Sequence, residues 1–228
     1  MKKLYEEASV QAIADAIRAK AGTADTYKIA EMPYAIASLP SGGGAAEPYI
    51  EETYDSSGNL IEAKLFGYTM IRDHAFYECR LLSSVSLPSE TTVIGHYSFY
   101  YCQDLALESL PDGLTRIGNN AFRFCTNLAL NSIPEGVTNL GSNTFYGCTN
   151  LALNSIPEGV TNLGANAFYG CTGLTSITFE GTPTAIQSTA FTGCTNLITI
   201  NVPWTEGAVA GAPWGATNAT INYNYTGA

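Results

Sequence analysis

Cysteine and histidine are the residues of this chain whose side chains could serve as metal ligands, nucleophiles or redox groups. The cysteines follow one another at a constant interval of 23 residues, at Cys79, Cys102, Cys125, Cys148, Cys171 and Cys194. A zinc site needs clustered ligands, as in a C-x2-C pair. Cysteines one repeat apart on neighbouring strands are separated by about 4.8 Å, which is well beyond the S–S bond length of about 2 Å. The spacing therefore predicts six reduced, buried thiols stacked in one line.

The remaining candidates for catalysis are weak. His74 and His96 occupy different positions of the repeat, and neither has a serine or cysteine nucleophile beside it in a recognised motif. The glycine-rich stretch 41–44 lacks the Lys and the Ser or Thr of a phosphate-binding loop. Catalysis needs a few unlike groups converging at one place, whereas a repeat offers the same group many times. The sequence therefore predicts a protein that is not an enzyme and that binds no cofactor and no metal.

The period itself predicts the architecture, because a fixed interval in the range of about 20–50 residues is typical of a solenoid. A phenylalanine stands three residues before each cysteine, at Phe76, Phe99, Phe122, Phe145, Phe168 and Phe191. A leucine follows each cysteine by three residues, and a proline ends the next apolar stretch in five of six repeats. We predict a short strand, a turn, and a short helical or 3-10 segment that carries Phe and Cys inward. The fold class is thus an α/β solenoid, with a parallel sheet on one face, helical or 3-10 segments on the other, and a small N-terminal helical module.

The middle repeats predict a change of strand register. Their second apolar residue lies one place earlier than in the outer repeats, as in Leu130 and Leu153. A one-residue shift moves side chains to the opposite face of a strand unless a bulge absorbs it. We therefore expect a local bulge that turns Glu108, Asn131 and Asn154 outward.

Five segments are predicted along the chain. They are a helical anchoring module (1–40), a flexible linker (41–48), an N-terminal β-hairpin cap (49–66), the repeat solenoid (67–204) and a degenerate seventh repeat that acts as a C-terminal cap (205–228). Two short helices bury too little apolar surface to be stable alone. We therefore expect Ile13, Ile17, Met32 and Ile36 to pack against another chain or another copy, which predicts a homo-oligomer or a larger assembly.

Charge and hydropathy exclude several classes of partner. The net charge of −10 argues against binding to nucleic acid, which needs clustered Lys and Arg. No stretch approaches the roughly 18–20 apolar residues of a membrane span. The N-terminal residues lack the apolar run of a secretory signal, so we expect a protein kept in a reducing cytosol until assembly. After Arg123 there is no Lys or Arg, and this low-charge face suits either a neutral partner, such as a glycan or a protein surface, or no partner.

One outward position of the repeat is the strongest candidate for an interaction surface. Two residues before each of the first five cysteines stand Tyr77, Tyr100, Arg123, Tyr146 and Tyr169, and Tyr97, Tyr101 and Phe124 lie close by in the sequence. With Phe and Cys facing inward, this position should face outward. Tyr and Arg are the residues that anchor interfaces, and aromatic rings also stack on sugars. The alternative is that each tyrosine only shields the turn beneath it.

The repeat unit also resembles a known family. The unit Ala190-Phe191-Thr192-Gly193-Cys194, continued by Leu197, Ile200, Val202 and Pro203, resembles the BspA-like leucine-rich repeat family over residues 67–204. The resemblance implies a right-handed solenoid with a parallel sheet on one face, used for protein–protein or cell-surface binding. Members of that family are often secreted adhesins.

The flanking segments resemble proteins of a different setting. Residues Ser9–Leu39 look like the N-terminal module of tail-associated proteins from phages and prophages of Gram-positive gut bacteria, and Val202–Asn224 is similar to an ending found there on repeat proteins. This implies a non-enzymatic virion component, a tail-tip, baseplate or receptor-recognition protein assembled in the bacterial cytoplasm. Its N-terminal module would contact other tail proteins, and its solenoid a host surface protein or glycan. The alternative is a bacterial BspA-like protein–protein interaction module or adhesin.

Overall fold

The computed structural model describes residues 48–227. This part of the chain is built from short strands joined by turns, and it contains neither an α-helix nor a 3-10 helix. The predicted helical module of residues 1–40, with Ile13, Ile17, Met32 and Ile36, lies outside the described residues. The strands are β1 (Tyr49–Tyr54), β2 (Leu60–Phe66), β3 (Met70–Ile71), β4 (Ser84–Ser86), β5 (Val93–Ile94), β6 (Arg116–Ile117), β7 (Asn139–Leu140), β8 (Ser155–Ile156), β9 (Asn162–Leu163), β10 (Ser176–Phe179), β11 (Ala185–Ile186), β12 (Thr199–Asn201) and β13 (Thr220–Asn222).

The strands stack into a parallel β-solenoid with two sheet-bearing sides. One side is a six-stranded parallel sheet in the order β3-β5-β6-β7-β9-β11. The other side carries a three-stranded sheet, β1-β2-β4, and a four-stranded sheet, β8-β10-β12-β13. In the six-stranded sheet each repeat places the same residue in register, so that Ile94 pairs with Ile71 on one side and Ile117 on the other. The prediction of parallel strands is confirmed, but the solenoid has parallel sheets on two sides instead of one.

The segments predicted to be helical are stacks of turns. In the first repeat, Tyr77 donates its N–H to the carbonyl of His74 three residues earlier (3.1 Å), whereas Phe76 donates to Ser98 in the next repeat (2.7 Å). His74 and Glu78 adopt left-handed backbone angles, with φ of 61° and 55°. A residue in this conformation ends a right-handed helix, and its neighbours turn their amides toward the adjacent repeat. The helical prediction was wrong because a Phe-x-x-Cys spacing suits such a turn as well as a helix.

The phenylalanine ladder forms the centre of the core. All six rings are buried, and each stacks on the next with centroids 5.2 to 5.7 Å apart. The offset-stacked geometry of aromatic pairs contributes about 0.5–1.5 kcal/mol beyond area burial. The inward direction predicted for the phenylalanines is confirmed.

The two ends of the described region close the solenoid differently. At the N-terminal end, β1 and β2 form an antiparallel hairpin, and β2 continues into the solenoid by pairing in parallel with β4. At the C-terminal end, β13 pairs in parallel with β12, with Ile221 opposite Ile200. Trp214 is fully buried there against Phe179 and Trp204, with centroids 6.2 and 6.3 Å away. Because β13 pairs 21 positions after β12 rather than 23, this last turn is shorter than the repeats before it.

The predicted register of the middle repeats is confirmed in the direction of the side chains. Leu130 and Leu153 are buried, while Glu108, Asn131 and Asn154 are exposed. The expected local bulge is a larger interruption, because residues 105–110 and 128–133 form no strand. In these two successive repeats the shifted residue interrupts the pairing of strands. The three-stranded sheet and the four-stranded sheet on that side are therefore separate.

In four successive repeats a glycine directly follows the strand of the six-stranded sheet, because the neighbouring backbone leaves no room for a Cβ atom. These residues are Gly95, Gly118, Gly141 and Gly164. A Cβ at Gly118 would lie 2.5 Å from the backbone nitrogen of His96 and 2.6 Å from the backbone carbon of Gly95. Real Cβ atoms do not approach backbone so closely, so the repeats would have to separate.

Replacing Gly118 with alanine is expected to lower the free energy of unfolding by about 3 kcal/mol, near the upper end of what overpacking costs, because the clashing atoms are backbone. Urea unfolding followed by tryptophan fluorescence would measure it. Gly113→Ala is the matched control, since its Cβ would lie 3.6 Å from the nearest atom, the carbonyl oxygen of Ser89. Equal stability losses in the two variants would contradict the close-approach explanation.

Candidate interaction surface

The five residues predicted as an interaction surface form one row along the stacked turns, and we call this row the aromatic ladder. It consists of Tyr77, Tyr100, Arg123, Tyr146 and Tyr169. Each side chain occupies the same place in its turn, and the turns superimpose from repeat to repeat. Tyr77 stacks on Tyr100 with centroids 4.8 Å apart, and Tyr146 stacks on Tyr169 at 4.5 Å. All five are half-buried because they cover one another.

Arg123 takes the place of a ring at the centre of the aromatic ladder. Its Cζ atom lies 4.5 Å from the ring centroid of Tyr146 and 5.9 Å from that of Tyr100. Its Nη1 donates a hydrogen bond to Oδ1 of Asn120 at 3.3 Å. Its Nε is buried and has no hydrogen-bond partner within residues 48–227. The ladder therefore holds one guanidinium group, stacked by cation–π contact and only partly satisfied in its hydrogen bonding.

Four further aromatic side chains extend the ladder on both sides. His74 stacks on Tyr97 at 5.0 Å, and Tyr97 contacts Tyr100 at 5.7 Å. On the other side, Tyr101 and Phe124 lie 4.5 Å apart. Tyr101 contacts Tyr100 at 4.9 Å, and Phe124 contacts Tyr146 at 5.1 Å. We call the ladder together with His74, Tyr97, Tyr101 and Phe124 the aromatic surface. Sequence reasoning weighed His74 only as a catalytic residue, although its place two residues before Phe76 puts it in this row.

Several rings of the aromatic surface sit on backbone that aromatic residues rarely adopt. Tyr97, Tyr101 and Phe124 have φ values of 55°, 59° and 61°. At the position of Tyr101 and Phe124, the later repeats have Gly147, Gly170 and Gly193. A bulky residue in the left-handed region costs on the order of 1–3 kcal/mol and such strain clusters at functional sites. The early repeats thus place large rings where the fold alone would favour glycine.

The two arginines at this surface differ in their ion pairing. Arg80 lies over the ring of Tyr101 at 5.1 Å and forms an ion pair with Glu78 at 3.5 Å. Arg123 pairs with no carboxylate of the described region. Burial, with a smaller effect from Glu78, raises the pKa of the Tyr77 phenol, which keeps this group protonated. The surface therefore presents phenol hydroxyls around one cation that has no carboxylate partner in this part of the chain.

The cysteines belong to the core and not to this surface. The thiol of Cys102 donates a hydrogen bond to the carbonyl of Phe76 in the preceding repeat at 3.0 Å, and Cys125, Cys148, Cys171 and Cys194 repeat this contact at 2.9 to 3.0 Å. Burial raises the pKa of each of these thiols, in Cys194 from 9.0 to about 12. The thiol thus links neighbouring repeats, which alanine could not do. Five of the six cysteines are buried, as predicted, but Cys79 is partly exposed, because it is the first residue of the cysteine row.

Thiol labelling of the native chain should therefore find one reactive group, the partly exposed thiol of Cys79. We expect one thiol to react rapidly with a chromogenic disulfide and all six to react after denaturation. Cys79→Ala should abolish the rapid phase and leave five thiols in the denatured protein. Rapid reaction of two or more thiols in the folded chain would contradict the buried ladder.

His96, the remaining candidate for catalysis, makes contacts that hold the fold together. The Nδ1 atom of His96 accepts a hydrogen bond from the N–H of Asn119 at 2.8 Å, and its Nε2 lies 3.0 Å from Nη2 of Arg116. This side chain therefore links two repeats.

Within residues 48–227, no three His, Cys, Asp or Glu side chains are grouped as metal ligands. In the same region there is no helix of the length and apolar character that crossing a membrane requires.

Solved structures of similar fold are leucine-rich repeat proteins. A leucine-rich repeat protein from T. pallidum is 27% identical, and the match covers 67% of this chain and 81% of that one with a TM-score of 0.54. A leucine-rich repeat protein from Bacteroides ovatus is 23% identical, with 71% and 47% covered and a TM-score of 0.49. A leucine-rich cell surface protein from Faecalibacterium prausnitzii is 18% identical, with 70% and 71% covered and a TM-score of 0.42. No curated protein matches the sequence.

A family model matches the repeats themselves. The model of the BspA type leucine-rich repeat region matches six copies over residues 69–203, which is more than half of the chain. Its repeats are the same 23-residue units that carry the phenylalanine and cysteine ladders. The chain belongs to the BspA-type leucine-rich repeat family.

Proposed function

We propose that this protein is a non-enzymatic interaction module that binds a partner macromolecule through the aromatic surface. The observation that carries the proposal is the continuous contact of nine side chains, eight aromatic and one guanidinium, on one line of turns. Tyr and Arg are enriched among the residues that dominate binding energy at interfaces. Rings held by their neighbours also lose little conformational entropy when a partner binds.

The backbone supports a role for these rings beyond covering the turn. Glycine at the position of Tyr101 and Phe124 suffices for the turn in the later repeats, so shielding alone does not require the strained rings. A strained residue that persists in a structure is a pointer to function. For Tyr101 and Phe124, the strained backbone therefore favours recognition over a covering role alone.

The proposal corresponds to the alternative reached from the sequence, the BspA-like interaction module. The main hypothesis, a phage or prophage virion component, has no support from the comparisons. It depended on the flanks and on residues 1–40, which lie outside the described residues. Attachment to tail proteins through Ile13, Ile17, Met32 and Ile36, oligomer formation and location in a virion remain proposals that a deletion of residues 1–40 would test.

Removing two rings of the aromatic ladder should weaken binding strongly without unfolding the chain. We expect a Tyr146→Ala, Tyr169→Ala double variant to lose at least tenfold in affinity for any target found by screening the full chain against immobilised glycans and cell-surface proteins, because each ring anchor contributes about 1–2 kcal/mol or more. Tyr223→Ala is the matched control, since Tyr223 lies outside the aromatic surface. Unchanged binding by the double variant, with the chain still folded, would refute the proposed site.

A further inference from the structure

We propose that the aromatic surface binds an oligosaccharide that carries a single carboxylate sugar, with Arg123 as the contact for the carboxylate. This inference rests on the proposed function and names the chemical class of the ligand. Three features lead to it, namely the state of the Arg123 guanidinium, the satisfied backbone beneath the ladder and the charge of the whole chain.

Arg123 is suited to receive an anion. The Cζ atom of its guanidinium lies 4.5 Å from the ring centroid of Tyr146 and 5.1 Å from that of Phe124, and these two contacts restrict its position before a ligand arrives. One hydrogen bond, from Nη1 to Asn120, is formed, and in the described region no carboxylate neutralises the group. Arginine forms paired, charge-assisted hydrogen bonds with planar carboxylates. Arg80, by contrast, already has Glu78 as its ion-pair partner.

The backbone of the ladder favours a sugar over an extended peptide. The N–H groups of all five ladder residues donate to carbonyls three residues earlier, at 3.1 to 3.2 Å. The carbonyls of Tyr100, Arg123, Tyr146 and Tyr169 accept N–H groups from the preceding repeat. A peptide that adds as a strand needs unpaired backbone groups on its receptor, and the ladder residues from Tyr100 to Tyr169 have already used theirs. Recognition here must come from rings, phenol hydroxyls and the guanidinium, which are groups that suit the apolar faces and hydroxyls of a sugar.

The two rings beside the ladder stand steeply against it, and each carries an arginine over one face, Arg80 over Tyr101 and Arg123 over Phe124, both at 5.1 Å. Phe124 meets Tyr146 at 69° and Tyr101 meets Tyr100 at 66°, so neither pair covers ring faces as a parallel stack would. Beyond Phe124, the next residue in its row is Gly147. A Cβ there would lie 2.8 Å from Cδ1 of Phe124. The glycine therefore makes room for the Phe124 ring beside the cation.

The charge of the chain limits the ligand to few negative charges. The net charge is −10, so a polyanion such as a polyuronate or a nucleic acid would be repelled at long range. An oligosaccharide that is uncharged apart from one carboxylate sugar meets the Arg123 guanidinium with little of this penalty. The sugar could be a sialic acid, with an exocyclic carboxylate, or a uronic acid, and the shared chemistry is one carboxylate on a sugar ring.

Calorimetric titration of the full chain with matched saccharides tests the inference. The probes are 3′-sialyllactose, a disaccharide that ends in glucuronic acid, the carboxyl methyl ester of each, and lactose. We expect one of the two acidic probes to bind about ten- to a hundredfold more tightly than its uncharged counterpart, as a charge-assisted hydrogen-bonded pair implies, and to weaken as salt is raised. The acidic probe that binds identifies the source of the carboxylate.

Arg123→Tyr is the sharpest variant, because the other ladder positions are tyrosine and the change should preserve the stack. It should remove the preference for the acidic saccharide and leave the unfolding midpoint near that of the wild type, and Arg116→Gln should leave the preference unchanged. Equal binding of acidic and neutral saccharides would overturn the inference while leaving the proposed function intact. Binding of the chain to proteins but to none of the saccharides would overturn the inference in the same way. Retained acidic preference in Arg123→Tyr would also overturn it.

Discussion

Raising the pH from 8 to 10 is expected to lower the free energy of unfolding of this chain by several kcal/mol. Burial raises the pKa of the five thiols that follow Cys79 in the ladder above their ordinary value of 9.0. Below pH 9 both folded and unfolded chains keep these protons, so the thiols add no pH dependence. Above pH 9 the unfolded chain releases them and the folded chain does not, so stability falls as pH rises. One pH unit above the ordinary pKa, each thiol accounts for about 1.4 kcal/mol, or about 7 kcal/mol for five.

Urea unfolding at a series of pH values would measure this loss, with reductant present to prevent oxidation. Cys148→Ala provides the control, because it removes one of the five buried thiols and should reduce the steepness of the decline by about one proton. Its own stability at pH 7 should fall, since it loses the thiol hydrogen bond to the carbonyl of Phe122. A free energy of unfolding that stays constant between pH 8 and 10 would show that the thiols are not buried as described.

Replacing Phe145 with alanine is expected to lower the free energy of unfolding by about 3–5 kcal/mol. This ring is fully buried and stacks on Phe122 at 5.7 Å and on Phe168 at 5.5 Å. Its removal leaves a cavity in the middle of the phenylalanine ladder, where at least two repeats on each side limit the collapse of the surroundings. Denaturant unfolding at neutral pH, followed by the fluorescence of the buried Trp204 and Trp214, would measure the loss.

The adjacent residue supplies the control for this variant. Tyr146→Ala removes a ring of similar size from the same turn, but that ring is half-buried and lies on the aromatic surface. We expect it to cost about 1–2 kcal/mol, mainly for lost ring contacts with Tyr169, Phe124 and Arg123. If Tyr146→Ala lowers the free energy of unfolding as much as Phe145→Ala does, the aromatic ladder is a second core and not an available surface.

The parts of the fold that repeat could be predicted from the sequence. The 23-residue interval leads directly to the stacked Phe and Cys ladders, and burial of Leu130 with exposure of Asn131 follows from the position of apolar residues alone. The aromatic ladder was also identified from spacing, since residues beside two inward-facing positions must face outward. A fixed period lets each residue be placed relative to its equivalents without knowledge of the local backbone.

The local backbone itself could not be predicted in the same way. The turns depend on left-handed angles at residues such as Tyr101 and Phe124, which are not residue types that favour them, so no propensity rule points to them. The six-stranded sheet consists of two-residue strands such as Val93–Ile94. An alternation of apolar and polar residues cannot be recognised in strands this short. The partial exposure of Cys79 depends on its position at the start of the ladder, which a repeat-averaged pattern does not distinguish.

The most direct test of the claim that this chain binds through its aromatic surface is a protection measurement on the tyrosines. The full chain would be oxidised by hydroxyl radicals, alone and with a saturating concentration of the saccharide or protein that binds most tightly in the screens, and each tyrosine quantified by mass spectrometry. We predict that oxidation of Tyr100, Tyr146 and Tyr169 falls at least threefold on binding, while Tyr49 and Tyr223 are unchanged. Protection of Tyr49 or Tyr223 with no change in the ladder would contradict the assignment of the binding surface.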